Sequence, residues 1–414
     1  MIWTIAKKEI VSNLLSYKFF IVILLTAILI FTSFFIMHRD YRQRLADYSL
    51  IKPKPTEPIA VIPPNPLSIF AKGLDDAMAR SFEISVIGVT ARAGQVSGNI
   101  IFSFFPAPDF LYVVRVVLSL VALLFGFDQV SQERERGTLK LMLSNPLSRA
   151  KVLVGKWAGN FLSLAIPFLL VTLLGFALLN LDPQVHFSSG SLAKLVIILA
   201  LTLVYIALFL SLGILISSLT QRAAISIVIL LFIWSILVFV IPNVGTLLAR
   251  QMVDVPSVRA LSEKREQVWT REVLLALEER SGERANWQGH YQAIHNEIDK
   301  LEENYRNKFR SLIRLSKNIN RVSPVASFVY AVTEIAGTGI GEEDNFKKEV
   351  IQHKNIIFSD MVSGKKEYPS FSYHYKPVSE VLAQGALFDS AWLIFFNILF
   401  FALNYFIFIR YDVR

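Results

Sequence analysis

Between two long apolar stretches lies a polar run, Glu133-Arg134-Glu135-Arg136-Gly137-Thr138-Leu139, followed by Asn145-Pro146, Arg149 and Gly155-Lys156. The residue types suit recognition rather than bond-making. Leu139, Met142 and Leu143 form an apolar set that can enter a groove, and Glu133, Glu135, Arg136 and Arg149 can make charged contacts around it. Gly137-Thr138 interrupts the run, and Asn145-Pro146 is a helix-start pair. An Asn side chain accepts a free amide hydrogen, and Pro needs no amide partner at the first helical position. The spacing therefore predicts a short amphipathic helix over 133–144 and a second helix that starts at Asn145-Pro146 and continues into the next apolar stretch.

Catalytic chemistry finds no matching pattern. A phosphate-binding loop needs Gly-x-x-x-x-Gly-Lys-Ser/Thr so that backbone amides wrap the phosphates. The nearest candidate, Gly155-Lys156, has Ala150 and Trp157 at the other defining positions. Neither a His-Glu-x-x-His zinc pair nor a Gly-x-Ser-x-Gly elbow occurs in the sequence. His290 and His295 are out of the i, i+4 register for sharing a helix face, and read as surface residues. The chain has no cysteine, so disulfides and thiolate metal sites are excluded. The expectation is a chain without catalytic, metal-binding or cofactor-binding residues of its own.

The elements that would hold the polar run are membrane spans. With 53% hydrophobic residues in 414, the chain is too apolar for one soluble core. A span needs about 20 mostly apolar residues, and six windows approach that: 19–37, 110–130, 157–181, 192–217, 223–241 and 391–409. Six spans leave both termini on one side. Lys7, Lys8 and Lys18, then Arg134, Arg136, Lys140, Arg149, Lys151 and Lys156, then Arg222, then Arg410 all fall on that side, which the positive-inside rule makes the cytoplasm. Arg39, Arg42, Arg44 and Lys194 fall opposite and are fewer. The net charge of +9 is what such loops supply, and with no basic stripe interleaved with aromatics it does not point to nucleic acid. Residues 1–18 mix Trp3, Ile5 and Ile10 with Lys7, Lys8 and Glu9, the pattern of a cytoplasmic interfacial helix. The run after Lys18 is too long for a signal-peptide core and reads as a retained first span.

Two larger segments fall outside. Residues 38–109 begin with a Pro-rich strap around Pro53 to Pro66, and Phe82 to Ile87 alternates like a short strand. Residues 242–390 form the main extracytoplasmic domain. Within 256–320, Trp287, Tyr291, Ile294, Ile298, Leu301, Tyr305, Phe309 and Leu312 repeat at alternating four and three, with Leu261, Val268 and Leu275 before Gly282. That spacing writes two antiparallel helices, a hairpin that serves either as a lever or as an ordinary packed subdomain. The apolar stretch 325–332 is too short to cross and reads as a core, re-entrant or interfacial helix, and Ser370 to Tyr375 reads as a further strand. The fold class is thus a mainly α polytopic membrane protein with six transmembrane helices and a large extracytoplasmic α-rich (α+β) domain before the last span.

Asp128, the Glu133 to Arg149 run and Gly155-Lys156 together closely resemble the first cytoplasmic loop of ABC-2-type ABC transporter permeases. Weaker likenesses are Ser217 to Ala224, Asn65 to Asp75, and Ala336-Gly337-Thr338-Gly339. The large domain before the last span departs from the compact members. The resemblance implies a non-catalytic permease subunit in a bacterial inner membrane, paired with a second permease chain as homodimer or heterodimer. Two copies of a separate ATPase would bind the ATP. Residues 131–156 would be the coupling segment, with Glu133, Glu135, Arg136, Gly137, Thr138, Leu139, Met142, Leu143, Pro146, Arg149 and Lys156 facing that ATPase. Three activities stay open: export of an unidentified substrate, of which amphiphilic cargo suits the apolar spans; mechanical action on an envelope partner at the outer hairpin without transmembrane flux; or a membrane scaffold. A cysteine placed at Gln288 of this cysteine-free chain is expected to react with a membrane-impermeant maleimide in intact cells. Labelling only after lysis would reverse the orientation.

Overall fold

The computed structural model describes residues 2–51, 59–74, 81–85, 88–91, 108–139, 148–279, 287–362 and 369–410. Six of its helices are long and apolar enough to cross a membrane: α2 (Tyr17–Ile51), α3 (Phe110–Glu135), α4 (Arg149–Leu179), α5 (Ser189–Leu219), α6 (Ala223–Met252) and α11 (Val378–Ile409). The hub is α5, with 67% of its apolar stretch enclosed, against 17% for α6 and α11. It crosses α3 where two glycines meet. A Cβ on Gly126 would lie 2.9 Å from the Gly213 Cα, so only hydrogen fits there.

Two spanning helices run well past their apolar windows. The α2 helix continues through His38, Arg39 and Asp40 to Ile51, because no Gly or Pro interrupts it before Pro53. The α6 helix passes through Pro242 to Met252 by way of a π-helical turn at Ile236–Val240. Similar turns occur at Val113–Leu118 in α3 and Leu382–Ala386 in α11. Carbonyls in two of these turns gain outside donors: the Tyr205 hydroxyl donates to Arg115 O at 2.9 Å and the Ser323 hydroxyl to Leu237 O at 2.7 Å. In an apolar surrounding such substitutes are what makes a widened turn tolerable.

A smaller layer sits at the end of the bundle reached by the extensions of α2 and α6. Strands β1 (Ile59–Val61), β2 (Ser81–Ser85) and β3 (Gly88–Ala91) form an antiparallel meander with Ala60 opposite Phe82 and Phe82 opposite Ala91. Its apolar face packs on α10 (Ile340–Val362) through Phe82 and Phe346, with ring centroids 5.6 Å apart. The short apolar stretch is α9 (Pro324–Ala336), started by the Ser323 side chain and stopped by left-handed Gly337. Phe328 stacks on Tyr205 of α5 at 4.2 Å, so α9 is a buried helix wedged among the spans. The expected strand over 370–375 is absent from the described residues. Tyr373 instead donates to Glu342 Oε1 and Tyr375 to Pro63 O, both at 2.6 Å. Alternation there reflects side chains plugging two different neighbours, not a pleated ladder.

The segment 256–320 contains α7 (Val258–Glu279) and α8 (Trp287–Asn320), running antiparallel. Val268, Ile294 and Ile298 form the seam. Leu275 is exposed, and Glu272 and Ala276 take the inner positions in its place. His290 is half-buried rather than a free surface side chain. It lies between Glu272 and Glu279, 3.1 Å from each, and His295 stacks on Phe358. The hydrogen bond to Glu272, then that to Glu279, holds the His290 imidazolium above its usual range, and the same bond to His290 holds the Glu272 carboxyl below its own. Stability from His290 is therefore complete below the ordinary histidine pKa and declines as pH rises through the raised one. Stability from Glu272 is present above the ordinary carboxylate range and is lost only in acid. Amide protection in α7 and α8, measured by hydrogen exchange and corrected for intrinsic rate, is expected to fall on raising the pH from neutral to mildly alkaline. It should be flat over that step in His290→Gln.

Candidate functional site

At the opposite end of the bundle the polar run closes onto the helices around it. Ser131–Glu135, the last turn of α3, follows a break at 127–130 and takes its N-terminal amides' acceptor from another span. The Ser217 hydroxyl of α5 accepts from the amides of Val130 and Ser131, both at 3.0 Å. Arg134 then donates to Thr220 O at 2.8 Å and Ser218 O at 3.1 Å, covering carbonyls that the end of α5 leaves open. The chain reverses at Gly137, whose φ of +71° is the left-handed conformation that glycine adopts without strain. A continuous helix over 133–144 is therefore not formed. Ser148 is likewise extended, with ψ at 132°, so the helix entering the third span starts at Arg149 rather than at Asn145-Pro146. Asn145, Pro146, Met142 and Leu143 lie outside the described residues.

Behind this turn is a buried charge cluster. Lys156 of α4, 2% exposed, reaches Glu133 Oε1 at 2.7 Å and Glu9 Oε1 at 3.1 Å. Glu9 belongs to α1 (Ile2–Leu14), which lies along α4 at very short range. A Cβ at Gly155 would be 2.8 Å from Ile5 Cβ, and one at Gly159 would be 2.7 Å from Ala6 O. Further along, Asn13 donates to Asn160 Oδ1 at 2.9 Å, and Gln129 of the α3 end to the same oxygen at 3.2 Å. Lys18 of α2 pairs with Asp128 at 3.6 Å, and Arg149 donates to Ile409 O at the end of α11. Every spanning helix except α6 is thus tied by a side chain to a neighbour near this end, and α6 is joined to α5 through the short 220–222 link that Arg134 grips.

The residues singled out from sequence divide into two groups. Glu133, Lys156 and Leu139 face inward, with Leu139 only 1% exposed. Glu135, Arg136, Gly137 and Thr138 are exposed and make up the projecting tip. Arg149 stands at the foot of α4, half-buried. Glu9 was not singled out as a site residue, and Arg134 and Ser217, which fell within quoted motifs, had been given no contact. A carboxylate among Lys7, Lys8 and apolar neighbours was the available signal for Glu9, since an acid within a basic interfacial helix needs a partner.

Comparison with known proteins places the chain. A family model described as ABC-2 family transporter protein matches residues 3–413. Among curated proteins, a probable ABC transporter permease protein NosY from Pseudomonas aeruginosa is 33% identical over 117 residues, covering 27% of this chain and 41% of that protein. The protein of the same name from Stutzerimonas stutzeri is 32% identical over 96 residues, covering 23% of this chain and 35% of the relative. The chain thus spans less than half the length of the curated relatives it matches.

The inward position of Lys156 sets an expectation unlike that for a docking residue. Lys156→Met leaves the Glu9 and Glu133 carboxylates with only the exposed Lys8 ammonium, 3.4 and 3.8 Å away, and losing the buried partner of such a charge group costs up to about 3–5 kcal/mol. The thermal midpoint of the purified chain should fall by several degrees. Lys156→Met combined with Glu9→Gln and Glu133→Gln should recover most of that loss. An unchanged midpoint in the single variant would remove the cluster from the fold's support.

Proposed function

The chain belongs to the ABC-2 transporter family and is a multi-pass membrane protein, and from that premise we propose that it is the permease subunit of an ABC transporter, driven by a separate ATPase through the tip formed by Glu135 to Thr138. The observation that carries this reading is the union of an exposed tip with a buried lock. A push on Glu135 or Arg136 bears on Glu133, Arg134 and Ser131, which hold Lys156 of α4 and the end of α5, and Lys156 in turn holds Glu9 of α1. Displacement at the tip would therefore move α3, α4 and α5 as one block. ATP would be bound and hydrolysed by the partner, two copies serving a pair of permease chains in a bacterial inner membrane. Both termini and the tip would be cytoplasmic, with the sheet and hairpin outside.

Two activities fit that engine. Export of an amphiphilic substrate suits the apolar spans. Mechanical action on an envelope partner is favoured by a specific feature: α6 runs from the tip end through its π turn to Met252, and around Gly245 it packs closely on α8. The Gly245 backbone lies so close to Asn320 that a Cβ would fall 1.9 Å from its Oδ1. Movement of α6 would carry the hairpin with it.

Charge reversal at the tip separates docking from folding. Exposed ion pairs contribute roughly 0.2–1 kcal/mol each, so Glu135→Lys with Arg136→Glu should weaken ATPase co-purification by several-fold while leaving the melting midpoint unchanged. Retention of the ATPase at wild-type level, with hydrolysis still responsive to the permease, would sink the proposed contact. Reconstituted flux of candidate amphiphiles then divides export from mechanical work.

A further inference from the structure

The end of the molecule away from the tip contains a cleft that the permease reading does not use. Its volume is about 580 Å³, within the range of small-molecule sites, and it lies between the sheet, the first turns of α7, the second half of α8, the start of α10 and the head of α11. Its walls are apolar, with Phe82 and Val89 from the sheet, Phe309 and Ile313 from α8, and Ile340 and Ile351 from α10. The lower half of the α8 stripe, Tyr305 and Phe309, faces this space rather than α7.

Set into those walls is a row of cations. Arg306, Arg310, Arg314, Lys317 and Arg321 follow one another at four, four, three and four residues, so one face of α8 carries the first four into the cleft and Arg321, just past its end, continues the row. Three have carboxylates: Arg310 with Asp344 at 2.8 Å, Lys317 with Glu334 at 3.3 Å, and Arg321 with Asp389 at 2.6 Å. Arg306 and Arg314 form no ion pair among the described residues, and the Arg306 Nε is buried without a hydrogen-bond acceptor. With Arg265 and Lys347, seven cations line the cleft against the four carboxylates of Glu302, Glu334, Glu343 and Asp344. The charge left over is positive, and it sits beside apolar surface.

The floor leads to the bilayer. Gln384 and Gly385 line it where α11 kinks, and Gly385, at φ +129°, has nothing within 4 Å of the position a Cβ would take. Immediately beyond, Leu387 and Phe388 are 62% and 55% exposed on a helix apolar enough to span. A ligand rising along α11 would meet an open floor, then apolar walls, then unpaired guanidinium groups.

We propose that this cleft binds an anionic membrane lipid, with its phosphate between Arg306 and Arg314 and its acyl chain along Phe309 and Ile313 toward the opening at Gly385. Guanidinium forks match phosphate oxygens, whereas a zwitterionic headgroup brings its own cation into a site already positive. Apolar walls argue against a free soluble anion. The continuity with α11 argues for a ligand that arrives from the leaflet beside the cleft rather than an acidic peptide from solution. The site stands apart from the tip and needs no ATPase.

The test uses the full chain purified in neutral detergent, titrated with palmitoyl-oleoyl phosphatidylglycerol or the matching phosphatidylcholine, and read by native mass spectrometry. Phosphatidylglycerol should bind with a preference of about tenfold or more, the size expected for two unpaired basic groups. Arg306→Gln with Arg314→Gln should abolish that preference without lowering the melting midpoint. Ile313→Trp, which fills the cleft from its apolar side, should reduce binding of both lipids, and carries the test if the arginine variant fails to fold. Equal binding of the two lipids by the unmodified chain, or an unchanged preference in the arginine variant, overturns the proposal. So does displacement of phosphatidylglycerol by glycerol phosphate at similar concentration, which would make the site one for a soluble anion.

Discussion

A single buried ammonium group holds together the end of the bundle that carries the Glu133 to Thr138 turn. Lys156 sits almost without solvent between carboxylates from two other helices, Glu9 and Glu133. Taking three charged groups out of water costs several kcal/mol per ion, and the attraction recovers that only if the geometry is fixed. Gly155 and Gly159 fix it. By letting the backbone of α1 come into contact with α4, they set the distance from which Glu9 reaches Lys156. A larger residue at Gly159 would move α1 outward and leave the lysine with one partner. The charge group therefore contributes alignment more than net stability: only one arrangement of α1, α3 and α4 satisfies it. Arg134 extends the same logic to α5 by donating to two carbonyls at its end.

The other end has ion pairs of its own, among them Arg321 with the buried Asp389, and adds a set of neutral contacts. Asn65 donates to Ala336 O at 2.7 Å, the Thr338 hydroxyl to Ala71 O at 2.8 Å, and the Leu74 amide to Thr338 O at 3.0 Å. Gly73, at φ +53°, passes so near Thr338 that a Cβ would fall 2.5 Å from its carbonyl oxygen. The described part of the 65–75 segment, residues 65–74, and segment 336–339, which stood out separately in the sequence, are thus the two halves of one clasp. It joins the segment after the first span to the helix wedged beside the last. The Ser217 to Thr220 link and the Glu133 to Arg136 run are the corresponding halves at the tip.

What the sequence revealed follows from which forces are local. Hydropathy is summed along the chain, so all six spanning helices were legible. It marks where a helix is apolar and not where it ends, which is why the continuations of α2 to Ile51 and α6 to Met252 were hidden. The seam at Ile294 and Ile298 was legible because heptad spacing is local too, but the choice of Glu272 over Leu275 as an inner residue depended on His290 across the hairpin. Lys156 looked like part of a surface motif, since a lysine after a glycine gives no sign of a glutamate 147 positions away. Tyr373 and Tyr375 alternated like a strand because each fills a separate hole. In each case the missing information lay in a partner distant along the chain.

The placement of the π-helical turns gives these two ends different mechanical characters. All three, at Val113–Leu118, Ile236–Val240 and Leu382–Ala386, lie toward the sheet-and-hairpin end of their helices, and none of the described residues near the tip adopts that geometry. A π turn bonds i to i+5 and so carries about one residue more than an α turn, which locally widens the helix and interrupts its regular hydrogen-bond register. The hydroxyls of Tyr205 and Ser323, which serve carbonyls within two of these turns, sit on α5 and before α9, so each of the two is supported by a neighbour. At the tip, by contrast, charges and glycine contacts admit one arrangement. A displacement entering through the tip would cross the bundle with the helices as rigid bodies and be absorbed where α3, α6 and α11 are already widened. Those are the helix segments that flank α9, the root of the hairpin and the floor of the basic cleft. Contacts that admit one arrangement at the tip and widened turns at the sheet-and-hairpin end thus give one bundle a stiff half and a compliant half.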